Sequence, residues 1–65
     1  MTYAADTTIA PTVGETFRIA EGAHVTVAGA AEVEVARNGM VFFVASGTDV
    51  IFTGIAGEWT YTVIA

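Results

Sequence analysis

The 65 residues include two arginines and no lysine, seven carboxylates, one histidine and no cysteine, for a net charge of −5, and 54% of them are hydrophobic. No basic patch exists to neutralise phosphates or to hold an anionic membrane surface, so neither nucleic acid nor membrane is an expected partner, and disulfides and thiolate metal sites are excluded. A chain this short forms one domain in which burial of apolar surface barely offsets the entropy of ordering the backbone, so association with another copy or another protein is the expected source of further stability.

Residues 1–14 (MTYAADTTIAPTVG) read as an extended N-terminal arm, with small residues, threonines, no sustained apolar period and Pro11, which cannot take an interior strand position. The arm is expected to lie on a neighbour and to be dispensable for β-structure. No basic residue precedes Arg18 and no apolar run lies before it, so a secretory signal is not expected.

From Glu15 to Ala65 the chain reads as a single small β-domain. Apolar and polar residues alternate, and glycines recur at turn-like intervals. Short strands are predicted at Thr16–Ala20, Ala23–Ala28, Glu32–Ala36, Met40–Ala45, Asp49–Thr53 and Glu58–Ile64. With no amphipathic helical pattern, the expected fold is all-β, a small antiparallel barrel or sandwich of about six short strands.

Asn38-Gly39 favours a type I′ hairpin because both central residues need positive φ, and this sets Arg37 opposite Met40, Val35 opposite Phe42 and Val33 opposite Val44. Glu32, Glu34 and Ala36 then share the other face with Val41, Phe43 and Ala45. The strand Met40–Ala45 is apolar on both faces and should be covered twice, by this chain or by a neighbouring subunit. A second hairpin is expected at Gly54-Ile55-Ala56-Gly57, pairing Thr53 with Glu58, Phe52 with Trp59 and Val50 with Tyr61. Residues 38–57 carry only Asp49 as a charge, but Gly39, Gly47, Gly54 and Gly57 break the stretch, which reads as hairpins and not as a membrane span.

Chemistry-bearing residues are few. The only set with the makings of a nucleophilic triad is Ser46, His24 and Asp49 or Asp6, and alternation puts His24 on a surface face beside Thr26. One histidine and no cysteine are too few for a zinc site, and Glu32 and Glu34 at i, i+2 read as a solvated strand face. No catalytic residue, cofactor site or metal site is assigned, and the chain is read as no enzyme. Trp59 and Tyr61 on one strand face could stack on a sugar, but filling the core against Val50 and Phe52 suits the same register.

Ala, Thr, Val and Gly together make up 38 of the 65 residues, a bias suited to tight turns and close subunit packing. With the short β-chain GETFRIAEGAHVTV through GEWTYTVIA, the missing cysteine and the Pro-containing arm TTIAPTVG, the sequence resembles the small accessory proteins of tailed-bacteriophage virions, particularly capsid decoration (cement) proteins. The resemblance implies a homo-oligomer, commonly a trimer, made in the host cytoplasm and bound to the major capsid protein on the capsid exterior, often through a terminal arm. Contact is expected from Tyr3, Ile9, Pro11 and Val13 in the arm and from Val41 and Phe43 on the strand face. The alternative is a small β-module that binds a ligand such as a sugar through Trp59 and Tyr61.

Overall fold

A computed structural model describes residues 1–65, the side chain of Ala30 excepted. Its regular structure is all strand: β1 (Thr2–Tyr3), β2 (Thr7–Ile9), β3 (Thr16–Ile19), β4 (His24–Arg37), β5 (Met40–Thr53) and β6 (Thr60–Val63). The strands form one sheet in the order β1-β3-β6-β4-β2, with β5 on β4. The sheet curls until it is nearly closed. One edge of β4 carries β2 along Val25–Val27 and β6 along Val33–Ala36, while the other edge carries β5.

The all-β expectation holds, but the sheet is mixed and not antiparallel. β1 runs parallel to β3, and β2 parallel to β4. Parallel neighbours need a crossover, and here each N-terminal strand is separated from its partner by another strand.

The strands also divide differently. The predicted Ala23–Ala28 and Glu32–Ala36 are halves of β4, and Met40–Ala45 and Asp49–Thr53 are halves of β5. Gly29 (φ 86°), Gly47 (φ 144°) and Asp49 (φ 56°) do adopt the left-handed region, but they bend a continuous ladder and do not reverse the chain. Asn38 (φ 52°) and Gly39 (φ 76°) form the expected tight turn.

Around that turn the register departs from the sequence reading. Arg37 faces Met40 and Ala36 faces Val41, but Val35 then faces Phe43 and Val33 faces Ala45, because β5 carries one extra residue there. A second irregularity between Val27 and Ala30 puts the extra residue on β4, and the original register returns at Val27–Val50 and Val25–Phe52. The two bulges cancel.

The second predicted hairpin does not form. β6 inserts between β3 and β4, with Tyr61 opposite Phe17 on one side and Val35 on the other. The cause lies at Gly54, whose N–H donates to the Ala23 carbonyl at 2.8 Å and whose carbonyl accepts from Gly22 N–H at 2.9 Å. A Cβ at Gly54 would collide with the carbonyl oxygen of Ala20. The end of β5 is thus pinned beside the end of β3, and residues 54–59 lead away from β5 instead of turning back along it.

The core is apolar. Phe17, Val25, Val27, Val33 and Val63 are its largest fully buried side chains, and no buried polar or charged residue occurs among the described residues. Phe17 and Tyr61 stack at 5.3 Å with an interplanar angle of 11°, and Phe52 meets Tyr61 edge-on at 5.3 Å. Such pairs add to the stabilisation that burial of each ring supplies.

The first fourteen residues join this body. Arg18 N–H donates to Met1 O and Ala20 N–H to Tyr3 O, both at 2.9 Å, and Gly14 N–H donates to Val63 O at 2.7 Å. Tyr3 lies edge-on to Phe17 at 5.8 Å, and Ile9 packs against the core. Pro11 falls between β2 and β3, outside any strand. Two strands and two core-packing side chains come from this segment, so it is part of the β-structure and not a free arm. Deleting residues 1–13 should lower stability by about 3 kcal/mol or more, measured by urea unfolding. An unchanged midpoint would show that β1 and β2 contribute nothing to the fold.

Candidate interaction surface

The first half of β5 presents the most unusual surface on the molecule. Met40, Val41, Phe42, Phe43 and Val44 are each between 48% and 64% exposed, and Ile51 further along the strand is exposed as well. Among the described residues β5 is paired along one edge, with β4, so five consecutive apolar side chains and a row of backbone N–H and C=O groups face outward together. The double cover expected for this strand is not supplied by the chain itself.

The bulge at Phe42 decides what each of these side chains meets. Residues directly opposite in an antiparallel pair share a face, so Phe43 lies on the face of Val35, and Val44 on that of Glu34. This reverses the sequence expectation, which put Phe42 and Val44 with Val35 and Val33. Phe42 instead meets Trp59 edge-on at 5.2 Å. The Arg37 guanidinium lies 5.6 Å from the Trp59 ring centroid, and Trp59 Nε1–H donates to Ala56 O at 3.2 Å. A cation over an indole face is stabilising, and it also occupies that face.

The residues expected to make contact divide between two environments. Tyr3 and Ile9 are half-buried against the core, Pro11 is half-buried, and Val13, Val41 and Phe43 are exposed. Sequence reasoning missed Met40, Phe42 and Val44 as surface residues, while Ile51 lies exposed as the outward row of its strand requires. The signal was present as the uncharged run Met40–Val44 directly after an Asn-Gly turn, but period-two reasoning assigns half of such a run to the interior.

The other candidates are scattered. His24 Nδ1 lies 3.0 Å from Thr53 Oγ1, and His24 N–H donates to Asp6 Oδ1 at 3.0 Å. Asp6 therefore holds the backbone of His24, not its imidazole. Ser46 faces Glu32, at the far side of the β5 bend from Thr53. Asp6, Thr7, Thr8, His24, Thr26 and Ile51 line a shallow open recess of about 400 Å³. Among the described residues no three of His, Asp or Glu are grouped as metal ligands would be. Glu32 and Glu34 sit half-buried on the outer side of β4, with Glu34 beside Thr62 and Val44. Among the described residues one ion pair is present, Arg18 with Glu58 at 4.0 Å, both well exposed. An exposed pair of this kind adds little stability.

Tyr61 is only 3% exposed, and its ring is stacked on Phe17. Together with the Arg37 cover on Trp59, this leaves the two rings with no common exposed platform. No family model, curated protein or solved structure matches the chain.

Burial pushes the Tyr61 phenol above its ordinary pKa of 10.0. The folded state therefore favours the neutral phenol. Its contribution to stability is present in full below the ordinary pKa and is lost as pH rises through the higher folded-state value. Phenolate absorbance during alkaline titration should show one group ionising above 10, and Tyr61→Phe should remove that phase. If the phase survives in the variant, the burial of Tyr61 is misplaced.

Proposed function

We propose that the chain is a non-enzymatic structural subunit of a virion, a capsid decoration or cement protein that stabilises the shell through protein-protein contacts. The observation that carries this reading is the strip Met40–Val44, uncharged, apolar on both faces and about half exposed along its length, on an otherwise well-packed body. Soluble monomers seldom leave such contiguous apolar surface without a use for it. An acidic chain with this surface is suited to protein partners: further copies of itself and the major capsid protein.

The chain cannot hide the strip by packing more tightly. Its accessible surface of 3819 Å² already equals the roughly 3,900 Å² that a compact protein of this mass exposes. A partner that covers β5 would bind the folded state alone and stabilise it by mass action. In this reading the subunit is made in the host cytoplasm and ends on the capsid exterior, with neither nucleic acid nor membrane as a partner. The resemblance of the short all-β chain and its small-residue composition to decoration proteins supports the same assignment.

The sugar-binding alternative has no free pair of ring faces to use, since Tyr61 is buried and Trp59 is covered by Arg37. The test of the virion reading is compositional. Tailed particles purified from the lysate that yields this sequence should contain the chain in many copies, found by quantitative mass spectrometry. Its presence only in the soluble fraction, with none on particles, would refute the assignment.

A further inference from the structure

We infer that the free edge of β5 pairs antiparallel with the same edge of a second copy, giving a two-fold dimer. The inference deepens the structural-subunit reading and rests on it in taking the β5 strip as an interface. Four observations lead to the second copy as the occupant.

The first is the match of lengths. β5 has 14 residues, whereas the other strands that end the sheet, β1 and β2, have two and three. Only another β5 offers an unpaired edge long enough to take up the row of backbone groups along this one. An isologous contact of this kind closes on itself and does not propagate.

The second is charge. The chain carries −5, so most surfaces of two copies repel, but Met40–Thr48 contains no charged residue. Glu32 and Glu34 lie one strand further in, on β4. A second copy meets no like charge along this edge until Asp49.

The third is that both faces of the strip are apolar. A partner packed face-on covers one row of side chains and leaves the other wet, whereas a strand laid along the edge shelters both rows and satisfies the backbone as well. The exposed parts of Met40–Val44 amount to roughly 500 Å² per copy, so two copies can bury at most about 1,000 Å² of this strip, the size of a small specific interface.

The fourth is the pattern of residue sizes. Between its two irregularities β5 pairs regularly with β4 from Phe43 to Thr48. A two-fold axis through Ala45, perpendicular to the sheet, sets Phe43 beside Gly47 of the second copy, and Val44 beside Ser46, each pair on one face. Each large side chain meets a small one, and an aromatic or branched residue beside an edge glycine is a favourable arrangement.

Native mass spectrometry of the purified chain across a dilution series tests this independently of any particle. The expected species is a dimer at micromolar concentration. Phe43→Glu should raise the dissociation constant by about tenfold or more, while Ile55→Glu, at an exposed apolar residue after the end of β5, should leave it unchanged. Hydrogen exchange should show amides of Phe43–Thr48 protected in the dimer and released in Phe43→Glu, with circular dichroism confirming that the variant is folded. Should that variant not fold, Val44→Lys, which faces Glu34, replaces it. A monomer at every concentration, a trimer, an undiminished dimer in the charge variant, or unprotected Phe43–Thr48 amides in a dimer would each overturn the proposal. None of these results bears on whether particles carry the chain.

Discussion

One long ribbon, β4 paired with β5, has to bend around a single small core, and the rest of the structure follows from how it does so. On β4 the inward residues keep one parity: Val25, Val27, Ala31, Val33 and Val35 are all buried. On β5 the parity changes. Phe52 and Val50 face the core at one end of the strand, while Ala45 packs against it beyond the bend. The change occurs where Gly47 and Asp49 take positive φ, opposite the β4 bulge around Gly29. A straight ribbon would present one of these sets to water, because a single-residue shift exchanges the two faces of a strand.

The bend has a cost that appears at the other end of the ribbon. The bulge near Phe42 restores the register before the Asn38-Gly39 turn, and around it β5 keeps five apolar side chains in solvent. Apart from Trp59 against Phe42, its neighbours do not cover them. β6 is occupied between β3 and β4, β2 lies on the opposite edge of β4, and the N-terminal segment is spent in covering Phe17 and pairing with β3. The strip is thus a consequence of the topology and not of loose packing, which is why an interface, and a function in assembly, is the reading that the molecule supports best.

Much of this was legible in the residues. Alternation and glycine spacing indicated strands throughout, Asn38-Gly39 identified its turn, and the buried faces of β4 and of β6 around Tyr61 fell on the expected positions. What could not be read was the meaning of each glycine. Asn38 ahead of Gly39 marks a reversal, but Gly29 and Gly47 carry no such signal and bend a ladder where turn-like spacing suggested an end to the strand. Gly54 is required by the approach of Ala20, a contact between residues far apart in sequence. The arm misled for a related reason: two- and three-residue parallel strands have no periodicity of their own and exist only because Arg18 to Ala20 and Val25 to Val27 offer them an edge. Of the residues expected at a contact, Val41 and Phe43 are exposed, while Tyr3 and Ile9 pack against the core.

The most direct test of this account is the register of the ribbon, read from cross-strand nuclear Overhauser effects in solution. The account predicts contacts joining Arg37 to Met40, Val35 to Phe43, Val33 to Ala45 and Val25 to Phe52, the pattern of two compensating bulges. An unbroken ladder joining Val35 to Phe42 and Val33 to Val44 would contradict it, and with it the origin of the exposed strip.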